Sequence, residues 1–200
     1  MTRLRSAPLA LRCLLVAALF AVCGAFSARF FPEGGDKPEI CVVPIPFAVL
    51  CALLFRRGAK TLLFVPLMLV TWLAAQETAR VVGMMTAVDD RFTAVAVGGC
   101  IGGLGVALSV SIWERRLLSH PYLFLAAVVG GASALPFGAW VKNYRLAVTS
   151  SNWQYYELQP FRLRYSFAIW QAAVGAYLYI ACKGPKGQAL QMGPQKRTPL

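Results

Sequence analysis

The polar side chains that could do chemistry in this chain are few, and three of them cluster in one apolar stretch. Within Thr61 to Met85, Gln76 stands beside Glu77, and Arg80 follows three residues after Glu77. Residues three apart share a helix face, so the carboxylate and the guanidinium can pair. An ionisable group at membrane depth is costly and indicates a functional site. Two interpretations stay open: a polar site inside a membrane, or a helix that ends near Gln76 and leaves a solvated surface pair.

Three further side chains complete a predicted binding set for a small solute. Gln171 lies in a later apolar run, where a single glutamine more often bonds a neighbouring helix than a substrate. Arg162 and Arg164 stand among aromatic residues in the longest polar connection, Lys142–Arg164. This composition favours an interfacial segment, with a lid whose arginines hold an anionic group as the alternative. The predicted substrate-binding residues are therefore Gln76, Glu77, Arg80, Gln171, Arg162 and Arg164.

No catalytic or metal-binding motif accompanies this set in the sequence. The six cysteines show no C-x-x-C spacing and all fall within apolar runs, where cysteine behaves as a small hydrophobe. His120, the one histidine, stands in a short connection, and Asp89 with Asp90 more simply cap the following helix than hold a metal. The chain contains no G-x-S-x-G, P-loop or H-E-x-x-H sequence. We therefore expect no metal, no cofactor and no disulfide framework.

The elements that must position these side chains are six apolar runs. The chain has 200 residues, of which 58% are hydrophobic and only 14% charged, whereas soluble domains carry about 25% charged residues. Each run has about 16–22 residues, close to the roughly 20 that cross a bilayer as a helix. The sequence therefore predicts an all-α, polytopic membrane helix bundle, with residues 1–182 as one domain. The predicted transmembrane helices are Leu9–Ala28, Ile40–Phe55, Thr61–Val82, Thr93–Trp113, Pro121–Val141 and Tyr165–Cys182.

Basic residues predict how this bundle is oriented. The formal net charge is +12, and with the N-terminus inside, the inner segments carry twelve of the 20 lysines and arginines while the outer segments carry eight. This bias predicts that both termini lie inside, in the cell (inner) membrane. The charge is interpreted as topology and contact with anionic lipid, and nucleic acid is not expected as a partner. Residues 183–200 are predicted to form a basic, disordered cytoplasmic tail.

Several predicted helices carry an alternative interpretation. Met1–Ser27 resembles a signal peptide, although its apolar run reaches spanning length. Pro44 and Pro46 either interrupt the second helix at a binding site or precede a helix that begins after Pro46. Small residues four apart in the fourth and fifth helices predict close packing, with approach of a ligand to the backbone as the alternative. These small residues are Gly98, Gly99, Gly102, Gly103, Gly130, Ala134 and Gly138.

Two function classes follow from these patterns. The first is a non-enzymatic membrane protein that binds or transports a small solute, or acts as a membrane subunit of a larger complex. The second is a small membrane enzyme that acts on a lipid-linked substrate with Glu77 as acid or base. It stands as the alternative because a single carboxylate lacks a second catalytic group.

Overall fold

The computed structural model describes residues 8–30, 43–55, 63–85, 91–150 and 153–183. Within these ranges the chain forms six α-helices and two short 3-10 turns, and no residue is in a β-strand. The all-α fold predicted from the apolar runs is thereby confirmed. In chain order the helices are α1 Leu9–Ser27, α2 Ile45–Phe55, α3 Phe64–Met85, α4 Arg91–Ser111, α5 His120–Ser150 and α6 Trp153–Lys183.

The outer surface of the bundle carries large apolar side chains, as a surface in contact with lipid does. Leu14 on α1 is 67% exposed and Phe124 on α5 is 68% exposed. In the described part of the chain, four helical segments are long and apolar enough to cross a membrane. These segments are Leu9–Ser27, Phe92–Ser111, His120–Val141 and Arg162–Cys182. Apolar surface on this scale is typical of a protein embedded in a membrane.

Two of the six predicted spans, those of α2 and α3, are not both long enough and apolar enough to count as membrane-crossing helices. With 11 residues, α2 measures about 16 Å along its axis, roughly half of the ~30 Å hydrocarbon core. Helix α3 has 22 residues and is long enough, but Gln76, Glu77 and Arg80 interrupt its apolar character. The structure therefore supports four of the six predicted transmembrane helices.

Helix α2 begins where its prolines allow. The N–H of Ala48 donates to the carbonyl of Pro44 at 2.9 Å, so Pro44 precedes the first turn and Pro46 lies within it. N–H groups in a first turn have no helical acceptor, and proline is tolerated there for that reason. The helix starts at Ile45, whereas the predicted start was Ile40. This start agrees better with a helix that begins near the end of the proline pair than with a span that the prolines interrupt.

The predicted connection Lys142–Arg164 is wrong, because its described residues are helical. Helix α5 continues to Ser150 and α6 begins at Trp153. Each helix has 31 residues, about 46 Å of axis against the ~30 Å that a bilayer requires. Arginine is a good helix former and aromatic residues are acceptable ones, so the headgroup-like composition is compatible with a helical backbone. Only the non-helical connection is contradicted, and the interfacial placement of this segment and its alternative as a lid stay predictions.

The long helices alternate in direction. Gly24 of α1 packs on Phe167 and Ala168 of α6, while Phe20 packs on Gly175 further along α6. Helices α1 and α6 are therefore antiparallel, and so are the pairs α3–α4, α4–α5 and α5–α6. The start of α1 and the end of α6 lie at one end of the bundle, which we call the Cys182 end. The opposite end, where α3 ends and α4 begins, is called the Arg80 end.

Glycines of α4 bring the backbones of neighbouring helices into direct contact. A β-carbon at Gly99 or Gly103 would overlap the α5 backbone at Gly130 or Ala126. On the other face, a β-carbon at Gly98 would lie 2.8 Å from the carbonyl oxygen of Ala75 in α3. None of these three glycine positions leaves room for a side chain, so the close packing predicted from the small residues is confirmed.

Polar contacts connect the helices at the Cys182 end. The guanidinium of Arg116 donates to the carbonyl of Cys182, and its Nε lies 3.1 Å from Oε1 of Glu114. The hydroxyl of Tyr177 donates to the carbonyl of Tyr122. The Arg116 contact joins the connection between α4 and α5 to the end of α6, and the Tyr177 contact joins the start of α5 to α6.

The remaining sequence predictions fall partly outside the described residues. Five cysteines, at positions 13, 23, 51, 100 and 182, are not in disulfide bonds, and Cys41 lies outside the described ranges. His120 is the first residue of α5 and does not stand in the connection. Asp89, Asp90 and the predicted tail beyond Lys183 also lie outside the described ranges.

Candidate functional site

A cavity of about 390 Å³ lies among α2, α3, α4, α5 and α6. Small-molecule pockets in proteins usually measure about 300–1,000 Å³, so this volume suits one small ligand. Apart from the indole N–H groups, four of its lining side chains are polar. They are Thr71, Gln76, Arg80 and Gln171.

Aromatic rings form much of the cavity wall. The ring of Phe47 lies 5.8 Å from that of Trp170, measured between centroids. Phe167 contacts Trp72 at 5.5 Å and Phe137 at 4.9 Å. These separations fall in the range that aromatic pairs prefer. Because the rings come from α2, α3, α5 and α6, they connect four helices around the cavity.

Small residues of α4 form another part of the wall. Gly98, Gly99 and Gly102 all line the cavity. A β-carbon at Gly102 would come within 3.0 Å of the Trp170 ring. The glycines that pack against α3 and α5 thus also line the cavity, and approach of a ligand to their backbone stays a prediction.

At the Arg80 end, the predicted ion pair is present on α3. Arg80 Nη2 lies 2.5 Å from Glu77 Oε1, and Arg80 Nε donates to Glu77 Oε2 at 2.9 Å. The pair is bidentate, a geometry that strengthens an arginine–carboxylate contact. Both side chains are exposed, Arg80 by 60% and Glu77 by 58%. Gln76 and Arg80 line the cavity, whereas Glu77 is not among the lining residues.

Gln171 contributes a buried amide to the cavity wall. Its side chain is 2% exposed, and its Nε2 donates to the Ser27 hydroxyl of α1 at 3.2 Å. The predicted role of this glutamine, a bond to a neighbouring helix, is confirmed. Its Oε1 has no hydrogen-bond partner among the described residues, and no solvent reaches it. The amide thus uses one of its two ends within the bundle.

The two predicted arginines of α6 lie apart from the cavity. Arg162 is half-buried and Arg164 is exposed, and neither is among the cavity-lining residues. Nη1 of Arg162 is buried without a hydrogen-bond partner among the described residues. The structure therefore places Gln76, Arg80 and Gln171 on one cavity. Glu77 is joined to this set only through its ion pair with Arg80, and Arg162 and Arg164 are not among the lining residues.

Sequence reasoning missed the aromatic wall and Ser27. In the sequence Phe47, Trp72 and Phe167 lie in apolar runs, and nothing in the spacing distinguishes a ring facing a cavity from one facing lipid. Ser27 and Gln171 are 144 residues apart, and no local pattern relates them. A useful signal was the rarity of amides in these runs, because an amide in apolar surroundings needs a partner.

No group of three metal-ligating side chains occurs in the part of the chain that the structure describes. Comparison with protein-family models, with curated proteins and with solved structures finds no match to this chain. The cavity is therefore the feature from which a function can be inferred.

Proposed function

We propose that this membrane protein binds one small, largely apolar molecule in the cavity and does so without chemical conversion. The observation that carries the proposal is a 390 Å³ space lined by aromatic rings and backbone, with few polar side chains. An apolar molecule could reach this space from the surrounding lipid. The same lining disfavours a strongly hydrated solute, whose lost water contacts few groups here could replace.

Close packing would supply most of the affinity. A ligand that moves from lipid to the cavity gains little from the hydrophobic effect, because lipid tails are as apolar as the cavity. It gains dispersion contacts that an empty cavity lacks. Selectivity then depends on fit against rings such as Phe47, Trp72 and Trp170.

The enzyme alternative finds less support in this geometry. It requires Glu77 as acid or base, yet both oxygens of Glu77 are occupied by Arg80. Glu77 would have to leave Arg80 and turn toward the cavity before it could transfer a proton to a bound molecule.

Transport is also less well supported than binding. A transported molecule needs a second opening at the Cys182 end, where Arg116 and Tyr177 bond the carbonyls of Cys182 and Tyr122 and connect the helices. The antiparallel packing of α1 on α6 places the start of α1 and the end of α6 at one end of the bundle. The proposal that this end lies on the inner side of the cell membrane rests on the basic residues alone.

A second candidate is a membrane subunit of a larger complex. The observation that favours it is the length of α5 and α6, each about 15 Å longer than a bilayer requires. Helical extensions of this length would offer a surface to a protein partner outside the hydrocarbon.

The cavity contains its own reporters for a binding test. Trp72, Trp140 and Trp170 line it, and the whole chain has five tryptophans. Bromine quenches tryptophan fluorescence on contact, so we expect bromooctane to give saturable quenching of the purified protein in detergent. Non-saturable quenching that follows probe concentration linearly would reflect only partition into detergent.

A matched pair of variants assigns that quenching to the cavity. Ala75 lines the cavity, whereas its neighbour Ala74 is exposed on the outer face of α3. Ala75→Phe adds roughly 100 Å³ of side chain to the cavity and should weaken saturable quenching at least tenfold. Ala74→Phe should leave it unchanged. Equal quenching in the two variants would contradict binding in this cavity.

A further inference from the structure

The amide of Gln171 provides a hydrogen-bond acceptor that the described bundle does not use. The side chain is 2% exposed and lines the cavity. Its Nε2 is bound to the Ser27 hydroxyl at 3.2 Å, and its Oε1 has no partner among the described residues. Ser27 itself is fully buried at the end of α1. The carbonyl end of this amide is therefore unused and buried, whereas the N–H end is held by a second helix.

An unused buried acceptor is unfavourable in the empty protein. A carbonyl oxygen without a donor lacks the hydrogen bond that water would supply, and this favours any ligand that brings one. The last torsion of a glutamine side chain is broad, so rotation about it can present Oε1 to a molecule in the cavity. A ligand with an O–H group could therefore satisfy the acceptor without moving the helices.

We propose that the bound molecule is an apolar alcohol or phenol whose hydroxyl donates to Oε1 of Gln171. This inference rests on the proposed function, because it concerns the same cavity. The hydroxyl is the polar end of the ligand, and its apolar body contacts the aromatic rings around Phe47 and Trp170. Gln171 is thereby the residue that makes a ligand with a hydroxyl group bind more tightly than a hydrocarbon of the same size.

A charged ligand fits the site less well than a neutral one. The one charged side chain of the cavity lining is Arg80, and its guanidinium already forms a bidentate pair with Glu77. A carboxylate or ammonium ligand would lose its hydration and would have to compete with that pair for a counter-charge. A hydroxyl needs one acceptor, and Oε1 of Gln171 is a buried acceptor without a partner among the described residues.

Three brominated probes of similar length test the proposal: bromooctanol, its methyl ether and the corresponding bromoketone. The alcohol can donate a hydrogen bond, whereas the ether and the ketone only accept one. Saturable quenching of the cavity tryptophans gives a dissociation constant for each probe. In the unaltered protein the alcohol should bind about three- to tenfold more tightly than the ether, the effect of one net hydrogen bond.

Two glutamine variants then identify the acceptor. Gln171→Leu should remove the preference for the alcohol while both probes still bind. Gln76→Leu, at the other glutamine of the cavity wall, should retain the preference. Retention of the preference in Gln171→Leu would overturn the assignment, and its loss in Gln76→Leu alone would place the acceptor at Gln76.

Other outcomes separate this inference from the proposed function. If none of the probes gives saturable quenching, the binding function itself fails. Equal binding of alcohol and ether to the unaltered protein would overturn the inference and leave the binding function standing, as would tighter binding of the ketone. These last comparisons need only the native chain, so they hold even if Gln171→Leu does not fold.

Discussion

Phe20 offers the sharpest test of whether α1 is an integral part of the bundle. Its side chain is completely buried. Its ring lies 5.1 Å from that of Phe47 in α2, and it occupies the space that a β-carbon on Gly175 in α6 would need. The ring therefore packs against two other helices. A signal peptide that is removed after export would not be needed for such packing.

The magnitude follows from the space that the ring fills. Phe20→Ala removes roughly 100 Å³ of side chain, and at ~24 cal/mol per Å³ of residual cavity the variant should lose about 2 kcal/mol of unfolding free energy. In water the lost transfer free energy would add to this value. Here it contributes little, because an unfolded membrane helix stays in lipid, where the side chain is still in apolar surroundings.

Unfolding of the purified protein in mixed micelles measures this loss. The matched control is Leu14→Ala on the same helix, where the side chain is 67% exposed on the lipid-facing surface; it should change the unfolding free energy by less than about 0.5 kcal/mol. Equal stabilities of the two variants would refute the reasoning. A purified chain whose mass lacks the first 27 or 28 residues would do so as well, because α1 would then be absent.

The other predictions concern orientation and partners. In a background without native cysteines, Leu118→Cys near the Cys182 end and Met85→Cys at the Arg80 end, at 51% and 81% exposed sites, should react with an impermeant maleimide from opposite sides of the membrane. Labelling of Leu118→Cys from outside would invert the proposed orientation. Native mass spectrometry in mild detergent should show a single chain with one bound small molecule, whereas a stoichiometric protein partner would favour the complex-subunit alternative.

Part of the candidate site could be predicted because polar groups are rare in long apolar runs. Gln76, Arg80 and Gln171 stood out for that reason, and the structure places all three on one cavity. Arg162 and Arg164 were predicted for a different reason, their place among aromatic residues in a polar connection, and they do not line the cavity. The rarity of a side chain predicts that it needs a partner, and it does not predict which surface holds that partner.

The segment between α5 and α6 shows a different limit. Arginine and aromatic residues indicate the headgroup region by their chemistry, and that chemistry is the same on a loop as on a helix. Whether residues 142–150 and 153–164 continue the helices depends on helix propensity and on contact between the two helices, so composition misled the prediction.

The sequence by itself determined that this protein is helical and suited to a membrane. The length and apolarity of a run are local properties, and a helix must have both to cross a bilayer. It also determined where helices come close, because glycine is the residue that removes the side chain between two backbones. Only the tertiary structure decided that the rings of Phe47, Trp72 and Phe167 surround a cavity and that Ser27 bonds Gln171. In lipid every face of an apolar helix is equally well solvated, so the face that turns inward is chosen by packing among helices far apart in the chain.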